Sequence, residues 1–460
     1  MKTTMKKITL WLTLLLLLEG ISGNAQFTKI HDFDGTSDGG YPFCNLYFDG
    51  TFLYGVTIYG GLYGNGTIFK VKPNGTEYTT IFDFNAEVSG FNAYATLISD
   101  GTYLYGTTKG SEVANIHGSV YKIKPDGTEF STLLTFTSLN GSTPWSGLYL
   151  IGDVLYGMTM YGAQGSTIYK LKTDGSDFAT IFIFTESTSG YSPYGELIYD
   201  GTYLYGTTAG FAGNVFKILP DGTGFTTLVN FGNAPNGNFP YGSLISDGTF
   251  LYGTTGTGGV YDMGTVFKVK HDGSEYQQLF SFSGTNGQQP MDNLVQLGDY
   301  IYGMTMFGGT SSYGTVFRIK ADGTGFSKLL DFDGTNNGCY PRRSVITDGT
   351  ALYGMTSSCG ANNWGVIFKL IPENLGNAEV SPRPEMVVYP NPSQGLITLA
   401  VQSVSQYQIE VYNILGVLIT TQTATSQQTT VDLTHQPAGV YIVKVSDDNQ
   451  NTIHQKIVIH

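Results

Sequence analysis

Apolar and polar residues alternate in short runs along most of this chain, the pattern of half-buried β-strands; Phe317, Arg318, Ile319 and Lys320 form one such run. The runs recur. A Tyr-Gly dipeptide preceded by Leu or Ile stands at Tyr54, Tyr105, Tyr156, Tyr205, Tyr252, Tyr302 and Tyr353, at intervals of 47 to 51 residues. Each full copy holds four strand-like pieces, which in the sixth are MDNLVQL, YIYGMTMFGG, GTVFRIKADGTG and FSKLLDF. In the last piece Phe326, Leu329 and Phe332 stand three apart. Its brevity and the preceding Asp-Gly predict a strand with an irregular start. Asp-Gly or Asn-Gly pairs separate the pieces, such as Asp348-Gly349 before the Tyr-Gly strand and Asp322-Gly323 after the third. They predict type I′ hairpins and an architectural role for these aspartates.

The seventh copy stops after its third piece, VIFKLIP, near Pro372. Near the start stands FTKIHDF at 27–33, which looks like the fourth piece FSKLLDF. A spare fourth strand at one end and a vacancy at the other predict a closed ring, which removes exposed sheet edges. The expected fold is therefore an all-β, seven-bladed β-propeller over residues 26–372, with the first strand of each blade near the central channel. Connections between blades and loops between second and third strands then share one face, where variable loops can bind a partner.

Gly at 62 residues and aromatics at 14% suit this reading, because tight turns need positive φ. Residues 1–25 read as a signal peptide: Lys6 and Lys7 precede an apolar run from Ile8 to Leu18, and Gly23 and Ala25 are small. That run is too short to span a bilayer. The formal net charge is −13, and removing residues 1–25, which carry a net of +2, leaves −15. An acidic body disfavours nucleic acid as a partner. A secreted or surface monomer with no later membrane helix is expected. Of three cysteines, Cys339 and Cys359 fall in loops of one face and are expected to pair, leaving Cys44 free.

No nucleophile-and-base motif stands out, and His31, His117 and His271 read as unrelated surface histidines. No catalytic residue, metal ligand or cofactor is assigned. Calcium at Asp32, Asp34, Asp331 and Asp333 is the weaker alternative to turn formation, because the rest of an EF-hand loop is missing. Seven cations recur on the third strand, at Lys70, Lys122, Lys170, Lys217, Lys268, Arg318 and Lys369. Long stems covering apolar surface explain them better than recognition of acidic polysaccharide. Tyr59, Tyr161, Phe307 and Trp364 are the aromatic candidates for a ligand platform on the shared face.

The pieces LYGTT, GTVFKVK and DGSEY, with a Pro-bearing crossover, resemble the GloVer tandem repeat of secreted bacterial proteins. The resemblance covers residues 27–371 and implies an extracytoplasmic repeat array with no established chemistry. Residues 373–385 read as a linker. Residues 386–460 resemble the type A C-terminal sorting domain of the type IX secretion system of Bacteroidetes. The matching residues include Tyr389, Pro390, Asn391, Pro392, Gly439, Tyr441 and Lys456. That resemblance implies an immunoglobulin-like sandwich, the secretion machinery as a partner, and outer-membrane export. The reading is then a binding module for glycan or another extracellular polymer. Its rivals are a polysaccharide-degrading enzyme with carboxylates in the propeller mouth, and a structural or adhesive surface protein.

Overall fold

The computed structural model describes residues 25–87, 89–110, 117–185, 190–232, 236–372, 386–389, 393, 395–401, 406–413, 418–426, 428–437, 439–447 and 452–459. The expected signal peptide up to residue 24, the linker and Pro390–Pro392 lie outside these residues. The chain divides into two compact units, Met1–Glu373 and Asn374–His460. Every regular element among the described residues is a strand or a short bridge.

In the first unit each repeat becomes one antiparallel four-stranded sheet, with strands in chain order. The sixth, for example, runs Val295–Leu297, Tyr300–Thr305, Thr315–Lys320 and Ser327–Asp331. The first sheet carries an extra short strand, Gly40–Pro42. The seventh takes Ile346–Thr347, Leu352–Thr356 and Val366–Ile371 from its own repeat. Its fourth strand is Gln26–Asp32, paired so that Phe27 faces Leu370 and Asp32 faces Val366. The expected closure is therefore made in register.

The repeat motif has a packing reason. In every sheet the glycine of the Tyr-Gly strand lies under an aromatic ring of the third strand: a Cβ on Gly253 would fall 2.6 Å from the Phe267 ring, and one on Gly303 2.7 Å from Phe317. In five of the seven sheets the tyrosine hydroxyl donates to the aspartate of the preceding turn, at 2.9 Å for Tyr54 and Asp49 and 2.7 Å for Tyr252 and Asp247. The same aspartates accept two backbone N–H groups, as Asp49 does from Thr51 and Phe52, both at 2.7 Å. This corrects the expected type I′ turns. Only the glycine of each pair has positive φ, whereas a type I′ turn needs it at both central residues. The fourth strand is irregular as expected: all seven third-to-fourth pairings contain one register shift.

The core lies between sheets. Six clusters of buried side chains join neighbouring sheets in a closed cycle, with one of them bridging the seventh, first and second sheets. Four of the seven strand-three cations stitch the same boundaries. Lys70, Lys122, Lys217 and Lys268 donate to backbone carbonyls of the next sheet's hairpin at 3.1 to 3.3 Å, and each lies over an aromatic ring.

In the second unit, three strands (Met386–Tyr389, Leu396–Val401, Gln428–Asp432) form one antiparallel sheet. Four others (Tyr407–Asn413, Leu418–Ala424, Gly439–Asp447, Thr452–Ile459) form a second. The two sheets bury one core, with Ile397 and Leu399 from the first and Ile409, Val443 and Ile457 from the second. Of the sequence-marked residues, Tyr389 is exposed, Tyr441 is buried with its hydroxyl on the Pro437 carbonyl at 2.8 Å, and Gly439 opens a strand. Lys456 pairs with Ile442 along the same ladder.

Gly253→Ala is expected to lower unfolding stability by about 1–3 kcal/mol through overpacking against Phe267, read by denaturant titration. Cys339 and Cys359 are disulfide-bonded, with Cα atoms 5.4 Å apart. Cys44 is buried and burial pushes its thiol up to about 12. A thiol assay without reductant is expected to find no reactive group in the native protein and one after unfolding.

Candidate functional site

Each connection entering a first strand carries a residue of positive φ, from Tyr41 and Asn92 around to Tyr340, followed in six of seven copies by proline. This kink turns the next side chain inward. The inward position holds Phe43, Tyr94, Trp145, Tyr194 and Tyr241 in the first five sheets, then Met291 and Arg342. All seven are half-buried and line one cavity of about 520 Å³. Because every sheet contributes its equivalent residue, the cavity surrounds the axis of the ring. Rings from the first and third sheets, Phe43 and Trp145, meet at 6.0 Å, as only side chains near the axis can.

The rings form a nearly continuous girdle, with centroids 4.9 Å apart for Phe43 and Tyr94, 4.6 Å for Tyr94 and Trp145, 5.5 Å for Trp145 and Tyr194, and 5.0 Å for Tyr194 and Tyr241. Burial raises the phenols of Tyr194, Tyr241 and Tyr94, the last to about 12, so they act as neutral hydrogen-bonding groups. The Arg342 guanidinium closes the girdle 5.5 Å from the Phe43 ring and donates to the Tyr41 hydroxyl at 3.3 Å.

One residue further along, the wall narrows to Cys44, Ala95, Ser146, Gly195 and Gly242, then Asp292 and Arg343. At Gly195 and Gly242 no side chain fits, because inner strands approach directly: a Cβ on Gly242 would fall 2.4 Å from the Asp292 backbone. Next comes a ring of polar residues that links sheet to sheet. The Ser344 amide donates to Asn45 at 2.7 Å, the Glu196 amide to Ser243 at 2.5 Å, and the Ser243 amide to Asn293 at 2.8 Å.

Three charges sit in this inner wall. Arg343 is buried, donates Nε to the Phe43 carbonyl at 3.2 Å and lines the cavity. Asp292 is buried, and burial pushes its carboxyl up to about 7, with Arg343 opposing and Glu196 adding to the rise. Burial also raises Glu196, whose side chain reaches across to Thr96 in the second sheet. Neither carboxylate reaches the cavity lining.

The four aromatics marked in the sequence do not converge, which corrects that platform. Only Tyr59 lines the cavity. Trp364 stands 6.4 Å from it but packs over Gly35 and Gly40. Phe307 leans on Tyr340 at 5.4 Å, and Tyr161 is exposed away from the lining. Those residues follow the second strand and project from the rim, while the inward position precedes the first strand. Its signal was available as a residue recurring at the Tyr-Gly intervals behind a proline.

His271 is also corrected: its Nε2 lies 2.9 Å from Ser246 Oγ and its Nδ1 3.3 Å from Asp200 Oδ2. The trio is a turn clasp between sheets. Ser246 Oγ already accepts the Gly248 amide at 3.0 Å, as Ser99 does from Gly101, and Asp200 accepts the Tyr205 hydroxyl and two amides. Two of the aspartates weighed for calcium likewise hold turns, Asp34 through Thr36 and Ser37, and Asp333 through Asn336 and Asn337.

The Gloeobacter/Verrucomicrobia repeat family matches residues 20–167, 103–305 and 246–431. No curated protein matches the chain in sequence. Among solved structures, an oligogalacturonate lyase in complex with manganese is similar at 12% identity and TM-score 0.51, over 77% of this chain and 95% of that one. The extracellular domain of the BT4673 two-component system of B. thetaiotaomicron is similar at 11% identity and TM-score 0.50, over 95% and 58%. PorZ, a surface component of the type IX secretion system of Porphyromonas gingivalis, is similar at 14% identity and TM-score 0.45, over 94% and 60%. The chain thus spans about 60% of the length of two of these three. At such identities the likeness is one of fold: an all-β, propeller-like array of four-stranded sheets.

Raising Asp292 from 3.8 to about 7 makes the folded chain hold a proton that the unfolded chain releases. This group's contribution to stability is complete below about pH 4 and is lost as pH rises through about 7. Asp292→Asn removes that loss. The variant's melting temperature is expected to exceed that of the wild type by a margin that widens from pH 5 to pH 8, read by scanning calorimetry.

Proposed function

The chain belongs to the Gloeobacter/Verrucomicrobia repeat family, and we propose that its repeats build a seven-bladed β-propeller that binds glycan in the axial cavity. The observation that carries this reading is the girdle of five half-buried aromatic rings around a concave opening. Pyranose rings present apolar C–H faces and polar edges. A wall of aromatic faces interleaved with neutral phenols and guanidinium groups complements both. An open cavity of about 520 Å³ accommodates a few sugar units of a polymer. A purely structural role leaves this inward aromatic position unexplained, since packing between sheets is supplied elsewhere.

Cleavage of the polymer is the second reading. Its support is the pair of raised carboxyls, Asp292 and Glu196, beneath the cavity. Their exclusion from the lining favours binding.

The second unit is the proposed export address, an immunoglobulin-like sandwich read by the type IX machinery, which makes the protein a secreted or surface one. Its two antiparallel sheets over one core and the motif around Tyr389, Gly439 and Tyr441 support this. Among the described residues no helix is long and apolar enough to cross a membrane.

Screening the secreted protein on a glycan array, with reducing-end release measured alongside, tests the first proposal. Binding without release is expected, and absence of binding to every glycan overturns it. Trp145→Ala is expected to weaken the best ligand by roughly thirtyfold, about 2 kcal/mol, as for a central aromatic anchor, measured by calorimetric titration. A chain ending at residue 385 is expected to remain in the periplasm of a type IX-competent host; its appearance in the medium would overturn the export assignment.

A further inference from the structure

Resting on the reading of the cavity as a glycan site, we propose that its ligand is acidic: the guanidinium groups of Arg342 and Arg343 hold the carboxylate of a hexuronic-acid unit while the aromatic girdle receives the sugar faces. The chain as a whole carries a net charge of −13, yet the charged residues lining the cavity are these two arginines. They also depart from the repeat. At the Arg342 position the other copies have five aromatics and a methionine, and at the Arg343 position they have Cys, Ala, Ser, Gly, Gly and Asp. In the other six sheets the fold closes at both positions without a cation, and packing does not call for two adjacent guanidiniums.

Their donors are incompletely used. Arg343 is 6% exposed, and its Nη2 is buried with no hydrogen-bond partner. Arg342 Nε is likewise buried and unpartnered. Neither arginine forms an ion pair with a carboxylate of the described residues. A buried guanidinium donor left unpaired is costly, so packing alone does not account for these two side chains. Nε and Nη groups present a planar fork that matches a carboxylate with two parallel hydrogen bonds. The acids nearest Arg343, Asp292 and Glu196, are pushed toward their neutral forms by burial, which leaves the positive field of the arginines for a ligand. Both guanidiniums also sit within 6 Å of the Phe43 ring, at 5.5 and 5.8 Å, so their planes are held beside the aromatic wall where a sugar would lie.

Calorimetric titration of the full secreted chain with β-1,4-linked mannuronate trimer, mannose trimer and a sulfated mannose trimer tests the assignment. The mannuronate trimer is expected to bind at least tenfold more tightly than the mannose trimer. Arg342→Gln, a change at a half-buried side chain, is expected to weaken the mannuronate trimer far more than the mannose trimer and so erase that preference. Arg343→Lys, which keeps the charge and loses the fork, is expected to retain only part of it. Equal affinity for the mannuronate and mannose trimers overturns the acidic-ligand inference and leaves the glycan site standing. Tighter binding of the sulfated trimer overturns the carboxylate assignment. A failure of all three trimers to bind, in a chain that also binds nothing on the array, overturns both readings.

Discussion

One antiparallel pairing, between Gln26–Asp32 and Val366–Ile371, holds the ring shut. Without it the seventh sheet would lack its outer strand. Phe27 would lose its stacking on Phe368, and the buried ring of Phe33 its contact with Phe69 of the first sheet. Because the partners come from opposite ends of the first unit, the contact is as non-local as this unit allows. A large loop-closure entropy opposes it, and it becomes favourable only when the intervening sheets already stand in place.

The same cyclic order explains why the core has no single centre. Each sheet buries its faces against two neighbours, so apolar burial is spread over seven boundaries, and lysine stitching recurs at four of them. Lysine stems crossing to the next sheet's hairpin and tyrosine hydroxyls anchored on turn aspartates are local solutions copied around the ring. Toward the axis the demands reverse. There the backbones converge, and Gly195 and Gly242 let the inner strands touch.

Above that narrow wall the ring widens into the aromatic girdle, where chemistry departs from architecture. The first five sheets repeat an aromatic at the inward position, whereas the last two substitute Met291 and Arg342, followed by Asp292-Asn293 and Arg343-Ser344. The asymmetry concentrates charge on one side of an otherwise apolar mouth. The cluster of Arg343, Asp292 and Glu196 is drawn from three sheets, and exclusion of water raises both carboxyls while the nearby Arg343 opposes the rise.

By itself the sequence determined what repeats locally. The period set by Tyr54 through Tyr353 and the alternation of the third strand specify the sheets and their order, because turns and pairing inside a repeat are governed by near neighbours; the orphan fourth strand at 27–33 matches the vacancy in the last repeat and so points to the closure. The turn type was misread, since only the glycine of each Asp-Gly pair takes positive φ. The site was half legible. The inward residues Phe43, Tyr94, Trp145, Tyr194 and Tyr241 keep the same spacing as the Tyr-Gly motif, but nothing in a linear pattern says which of two loop positions points to the axis. That was decided by the positive-φ residue before each proline, which turns one side chain inward and leaves Tyr161 and Phe307 at the rim. Bringing Phe43 beside Arg342, nearly 300 residues away, required the ring to close. Convergence at an axis is a property of the whole circle, not of any one repeat.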